Sequence, residues 1–194
     1  RDVETLYRFD KANVVLSLDG DFLCELPGSL RYAREFVDRR RIDSDRLGEG
    51  ADLMNRLYVV ESGRSLAGGM ADHRLPVRAC DVEAFARVVA QRLGIEAGGA
   101  ALPVDVPGEW MDGLVADLKA NAGASIVVAG DNQPPAVHAI VHFINNALEN
   151  AGKTVVYTQP VEPHPVNQAQ SLRELVDDMS AGHVKTLLIL GGNP

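Results

Sequence analysis

The chain is 194 residues long, with 46% hydrophobic and 24% charged residues, a balance that excludes a disordered tail and is ample for a real hydrophobic core. Lys and Arg total 19 against 27 Asp and Glu, so the formal net charge is -8 and a polyanion such as nucleic acid is repelled on average. Cys24 and Cys80 are too far apart for a CxxC pair and too few for a ligand cluster, and no apolar run approaches the roughly 20 residues that cross a bilayer.

In chain order, Asn13 to Leu18 is a short apolar, β-branched run closed by Asp19-Gly20, which predicts a buried parallel strand. From Ser29, expected as the cap, Leu30, Ala33, Phe36 and Val37 recur at helical spacing. The polar stretch from Ile42 to Asp52 leads to a second strand, Arg56 to Val60, and Glu61-Ser62-Gly63-Arg64-Ser65 follows at its carboxyl end, where α/β sheets present ligand loops. A short piece at Leu75-Pro76-Val77 precedes a helix capped by Asp81, with Val82, Phe85, Val88, Val89 and Leu93 on its apolar stripe.

The Gly-, Ala- and Pro-rich stretch from Gly94 to Pro107 reads as a linker. Beyond it, a helix (Glu109 to Ala122), a strand (Ser125 to Ala129), the turn Gly130-Asp131-Asn132-Gln133, a helix (Pro134 to Asn150), a strand (Thr154 to Tyr157), a helix (Ser171 to Ala181) and a strand (Thr186 to Leu190) are expected. This alternation predicts an α/β chain of two Rossmann-like, three-layer halves with mostly parallel sheets, at residues 1–94 and 108–194, joined by 95–107. The Pro-rich loop from Gln159 to Gln168 and the linker, with Val161, Val166, Leu102 and Val104, are expected to dock neighbours. A strand running into Gly-Gly-Asn-Pro at the end reads as a piece of a longer protein.

Several groups invite chemistry. The turn at Gly130 could offer helix-start N–H groups to an anion, although Pro134 and Pro135 remove donors and neither GxGxxG nor GxxxxGK[ST] occurs. His138 and His142 lie four residues apart on a predicted helix and could share a metal; with no third ligand in view, the core boundary is the expected setting. Asp72 and His73 are adjacent on an extended segment and point to opposite faces, so they are expected to fix a loop rather than form a dyad. Arg39-Arg40-Arg41 reads as a solvated helix end favoured by the helix dipole, and Cys24 and Cys80 as buried or idle thiols.

Leu57-Tyr58-Val59-Val60-Glu61-Ser62-Gly63-Arg64-Ser65, the segment Gly69-Met70-Ala71-Asp72-His73-Arg74-Leu75-Pro76-Val77-Arg78, and Val184 to Pro194, a strand into Gly-Gly-Asn-Pro, together resemble the molybdopterin oxidoreductase family. Ile126 to Gly130 and Ala147 to Lys153 are similar to that family's intervening strand and helix exit. Where cofactor-binding members carry Asp-Pro-Arg, Glu61-Ser62-Gly63 stands here; where they carry Pro-Gly-Thr-Asp, Ala79-Cys80-Asp81-Val82 stands; and Leu18-Asp19-Gly20-Asp21-Phe22 replaces a Gly-x-Asn-Pro-like loop.

Ser17 to Leu23, Arg31 to Phe36, Met70 to Pro76 and Gly130 to Pro135 more narrowly resemble the large iron–sulfur subunit of alternative complex III, whose molybdopterin-oxidoreductase-like region lacks the molybdenum cofactor. This resemblance implies a cofactor-free scaffold with no catalytic or metal-binding residue and with iron–sulfur clusters elsewhere in the full chain. It implies partners among the subunits of a membrane-bound, quinol-oxidising respiratory complex on the periplasmic side of the cytoplasmic membrane, without insertion of this part into the bilayer. Asp19, Glu61, Ser62, Arg64 and Asn193 would line the vestigial pocket. A cofactor-binding fragment of an authentic molybdopterin guanine dinucleotide enzyme and an independent nucleotide-binding module are the alternatives.

Overall fold

The computed structural model describes residues 3–41, 54–98, 106–161 and 166–191. The chain forms two compact units, one of Thr5–Thr158 and one of Arg1–Glu4 with Gln159–Pro194.

In the larger unit, four strands make one parallel sheet: β2 (Val14–Leu18), β3 (Arg56–Glu61), β4 (His73–Pro76) and β5 (Ser125–Ala129), in the spatial order β4-β3-β2-β5. A preceding strand, β1 (Glu4–Tyr7), pairs with β6 (Val155–Thr158) in a small antiparallel sheet. The connections carry α1 (Ser29–Asp38), α2 (Leu66–Met70), α3 (Val82–Arg92), α4 (Gly108–Ala120) and α5 (Pro135–Ala147).

Side chains alternate across the sheet because successive Cβ atoms of a strand point to opposite faces. Val14, Leu16, Leu18, Tyr58, Val60 and Val127 face α3, α4 and α5, whereas Val15, Leu57, Val59, Ile126 and Val128 face α1 and the aromatic cluster of Phe9, Phe22, Tyr32 and Phe36. Phe9 and Phe22 stack with centroids 4.4 Å apart. The three-layer α/β architecture with parallel strands follows.

The expected division at residues 95–107 is corrected in one respect: the strands on either side of it share a sheet. Val14 pairs with Arg56 on one side and Ser125 on the other, in registers that continue to Leu18. Every residue of β2 is buried, and a strand apolar on both faces is satisfied only as a central strand with a neighbour at each edge.

The outer edge of β5 is closed by side chains instead of a strand. Asn145 of α5 accepts from the Val127 N–H at 3.0 Å and donates to the Val127 carbonyl at 2.7 Å, reproducing the pair of bonds a neighbouring strand would make. Two residues earlier, the Ser125 N–H donates to Asn150 Oδ1 at 3.3 Å and its carbonyl accepts from the Thr154 hydroxyl at 2.5 Å. All five residues are buried, so β5 presents no bare edge there to a foreign strand.

Local expectations shift in several places. In α1 the buried face is Tyr32 and Phe36, drawn in by the aromatic cluster, and Leu30 is 90% exposed. Its cap is Gly28, in the left-handed region at φ 89, rather than Ser29. Asp81 does not cap α3 through its side chain but is bound by Arg78 at 2.7 Å.

The smaller unit contains α6 (Gln168–Ser180), begun by Asn167, whose side chain accepts from the Gln170 N–H at 3.0 Å. None of its residues is buried. The strand expected at Thr186–Leu190 is absent: these residues form no regular element, pair with no strand and are exposed.

Candidate functional site

The order β4-β3-β2-β5 means that the chain leaves β2 in one direction and returns on its other side, so a topological switch point lies between the carboxyl ends of β2 and β5. Ligands of open α/β sheets bind at such a point. Here the loops after β2, β3 and β5 meet, and Asp19 joins them. Its N–H donates to the Val60 carbonyl at 2.7 Å. One carboxylate oxygen accepts from the Ser62 N–H at 3.0 Å and the Ser62 hydroxyl at 3.3 Å, and the other accepts from Gln133 Nε2 at 2.9 Å. Asp19 takes the left-handed conformation at φ 51, a cost these contacts offset.

Backbone closes the crevice at its base. A Cβ on Gly130 would lie 2.0 Å from the Asp19 carbonyl oxygen, and one on Gly20 would lie 2.9 Å from the Gly130 nitrogen. Only glycine at both positions lets the two loops approach this closely.

Two further carboxylates occupy donors that an anionic ligand would need. Asp21 is buried and accepts from the N–H groups of Leu66, at 2.9 Å, and Ala67, at 3.2 Å, which begin α2. Glu61 is buried at the end of β3 and accepts from the Ser65 N–H at 3.1 Å and the Ser65 hydroxyl at 2.6 Å, with the Arg74 guanidinium paired to its other oxygen. Burial alone would raise the Glu61 pKa; the Ser65 hydroxyl, Arg74 and the Ser65 amide outweigh it and hold the carboxyl below its ordinary value. Gly68 makes room, since a Cβ there would sit 1.9 Å from a Glu61 oxygen. Asp21 and Glu61 thus occupy the N–H groups of Ser65, Leu66 and Ala67, the donors that a phosphate would use in the loop after β3.

Of the expected pocket residues, the structure brings Asp19, Glu61 and Ser62 to one end of the sheet. Arg64 is exposed there and makes no hydrogen bond or ion pair among the described residues, and Asn193 lies outside them. Sequence reasoning missed Asp21, Ser65, Arg74 and Gln133. The available signal was Ser65 three residues before Gly68, a helix-start spacing with Ser65 accepting from the Gly68 N–H at 2.9 Å.

At the opposite end of the sheet, Asp72 fixes a loop as expected, accepting from the Leu57 N–H at 2.8 Å and from Arg40. Arg40 is not a solvated helix end: it lies over the Phe36 ring at 4.6 Å and bonds Asn55 at 2.7 Å. His73 stacks on Tyr58 with centroids 4.6 Å apart, and the Tyr58 hydroxyl donates to Asp117 at 2.5 Å. Burial, then Asp117, push the Tyr58 phenol up to about 12. Cys24 and Cys80 are both free and exposed. Among the described residues no three His, Cys, Asp or Glu side chains are grouped to hold a metal ion, and no helix is long and apolar enough to cross a membrane. No protein-family model matches the chain, and no curated protein matches it significantly.

Proposed function

We propose that this chain is a cofactor-free scaffold within a molybdopterin-oxidoreductase-like subunit of a quinol-oxidising electron-transfer complex, held on the periplasmic side of the cytoplasmic membrane. One observation supports the cofactor-free part of this reading: the Ser65, Leu66 and Ala67 N–H groups after β3 are taken by Glu61 and Asp21 of the chain itself. An intramolecular carboxylate bound to N–H groups at a helix start does the electrostatic job that a ligand phosphate does in a nucleotide-binding α/β domain. The assignment to a quinol-oxidising complex rests on the sequence resemblance.

In this role the fold contributes shape rather than chemistry. Asp19 ties three strand ends together, and iron–sulfur clusters would sit in another region of the full chain. Metal analysis and pterin fluorescence on the full-length native protein test the reading, with neither molybdenum nor pterin expected in stoichiometric amount. Stoichiometric molybdenum would overturn it in favour of an authentic molybdenum enzyme. Thermal-shift screening with common dinucleotides tests the independent-module alternative: binding would raise stability by about 2.7 kcal/mol at a hundredfold excess over the dissociation constant, and no shift is expected.

A further inference from the structure

The helix α5 carries a pair of imidazoles that the sheet's carboxyl end does not use. His138 and His142 are one turn apart, so both side chains leave the helix on the same side. That side is not the core side: Val137, Ile140, Val141, Ile144 and Asn145 are buried, while the two histidines are part-exposed. His142 is also fixed from outside its helix, with Nδ1 2.9 Å from the Tyr157 hydroxyl of β6 and ring centroids 5.3 Å apart. A ring held through Nδ1 keeps Nε2 available. The His138 side chain makes no hydrogen bond or ion pair among the described residues, the residue's backbone N–H donating to the Pro134 carbonyl at 3.4 Å, so its ring is free to turn toward its neighbour.

We propose that His138 and His142 form a two-point chelate for a divalent transition-metal ion, with Tyr157 as the positioning residue that orients His142. Two imidazoles one turn apart on a helix are the spacing by which helical zinc sites present their histidines. Neutral nitrogen donors select borderline ions, and the affinity order follows Cu2+ above Ni2+ and Zn2+, with hard Mg2+ and Ca2+ excluded. The His142 Nδ1–H then donates to the phenol oxygen, the outer contact that metal-bound histidines ordinarily make. With two protein ligands, the remaining positions are open to water or to a donor from another molecule. This inference is independent of the scaffold reading.

Titration of the chelator-stripped protein with Cu2+, Ni2+, Zn2+ and Mg2+ by calorimetry near neutral pH provides the test. One site per chain is expected, in that affinity order, with no heat from Mg2+. His138→Asn and His142→Asn are each expected to weaken Cu2+ binding by about tenfold or more, and Tyr157→Phe by a smaller factor with the same stoichiometry. The His138 variant is the decisive one because it removes no hydrogen bond, and its circular dichroism should match the parent. Cu2+ electron paramagnetic resonance should show coupling to two imidazole nitrogens, falling to one in either variant. Cu2+ binding unchanged in His138→Asn, or no saturable Cu2+ site in the parent, overturns the proposal.

Discussion

Two five-residue runs, Ser125–Ala129 and Thr186–Leu190, each open on a hydroxyl residue, continue with four apolar ones and have opposite fates. The first is β5, buried at every residue; in the second, Leu187 to Leu190 are 45–82% exposed and no sheet pairing forms. The difference that the structure displays is one of pairing. It is whether the backbone donors and acceptors on both edges find partners, since an unpaired buried amide costs as much as a lost hydrogen bond. β2 supplies one edge of β5, and Asn145, Asn150 and Thr154 supply the other.

The largest effect on this contrast should come from Asn145→Leu. It strands both the N–H and the carbonyl of Val127 in the core, and a loss of about 3 kcal/mol is expected in urea unfolding. If that variant unfolds like the parent, the edge is satisfied by other means and the comparison fails.

Gly130→Ala comes next. The added Cβ meets backbone at 2.0 Å, so the loops after β2 and β5 must separate, at about 2–3 kcal/mol. Gly63→Ala, where a Cβ meets nothing within 4 Å, should stay within about 0.5 kcal/mol and serves as its control.

Glu61→Gln keeps the shape but removes the charge facing Arg74 and the Ser65 donors, and about 2 kcal/mol should be lost at neutral pH. The same contacts set an acid limit. Glu61, Asp72 and Asp117 all titrate below their ordinary values in the folded chain. For each, burial opposes ionisation and is outweighed, by Ser65 and Arg74, by Arg40 and the Leu57 amide, and by Arg56 and Tyr58 respectively. Their stabilisation is therefore fully present above the unfolded carboxyl pKa of about 4 and is lost as pH falls through the lower folded values. Chemical denaturation at stepped pH should show a decline that sets in as pH falls below about 4, made shallower by Glu61→Gln.

The smallest effect belongs to the exposed run. Leu188→Glu, at a residue 77% exposed, should change unfolding by less than about 0.5 kcal/mol. A large loss there would show that the run is buried in solution and would erase the contrast with β5.

The sequence by itself determined which stretches could be strands and helices, because periodicity and β-branched runs are local properties. Val14–Leu18, Arg56–Glu61, Ser125–Ala129 and the helices α1, α3, α4 and α5 were legible to within a few residues, as was the place of Asp19, Glu61 and Ser62 at strand ends, whereas α2 was not. Tertiary structure alone decided that β2 and β5 share one sheet, that Tyr32 and Phe36 rather than Leu30 face the core, and that Thr186–Leu190 stays unpaired. It also decided that Asp21 and Glu61 turn inward onto the backbone donors of the loop after β3. The physical reason is common to all of these. Hydrophobic periodicity says that a face must be covered and a backbone group must be paired, but the group that does so comes from tens of residues away along the chain, where local pattern carries no information.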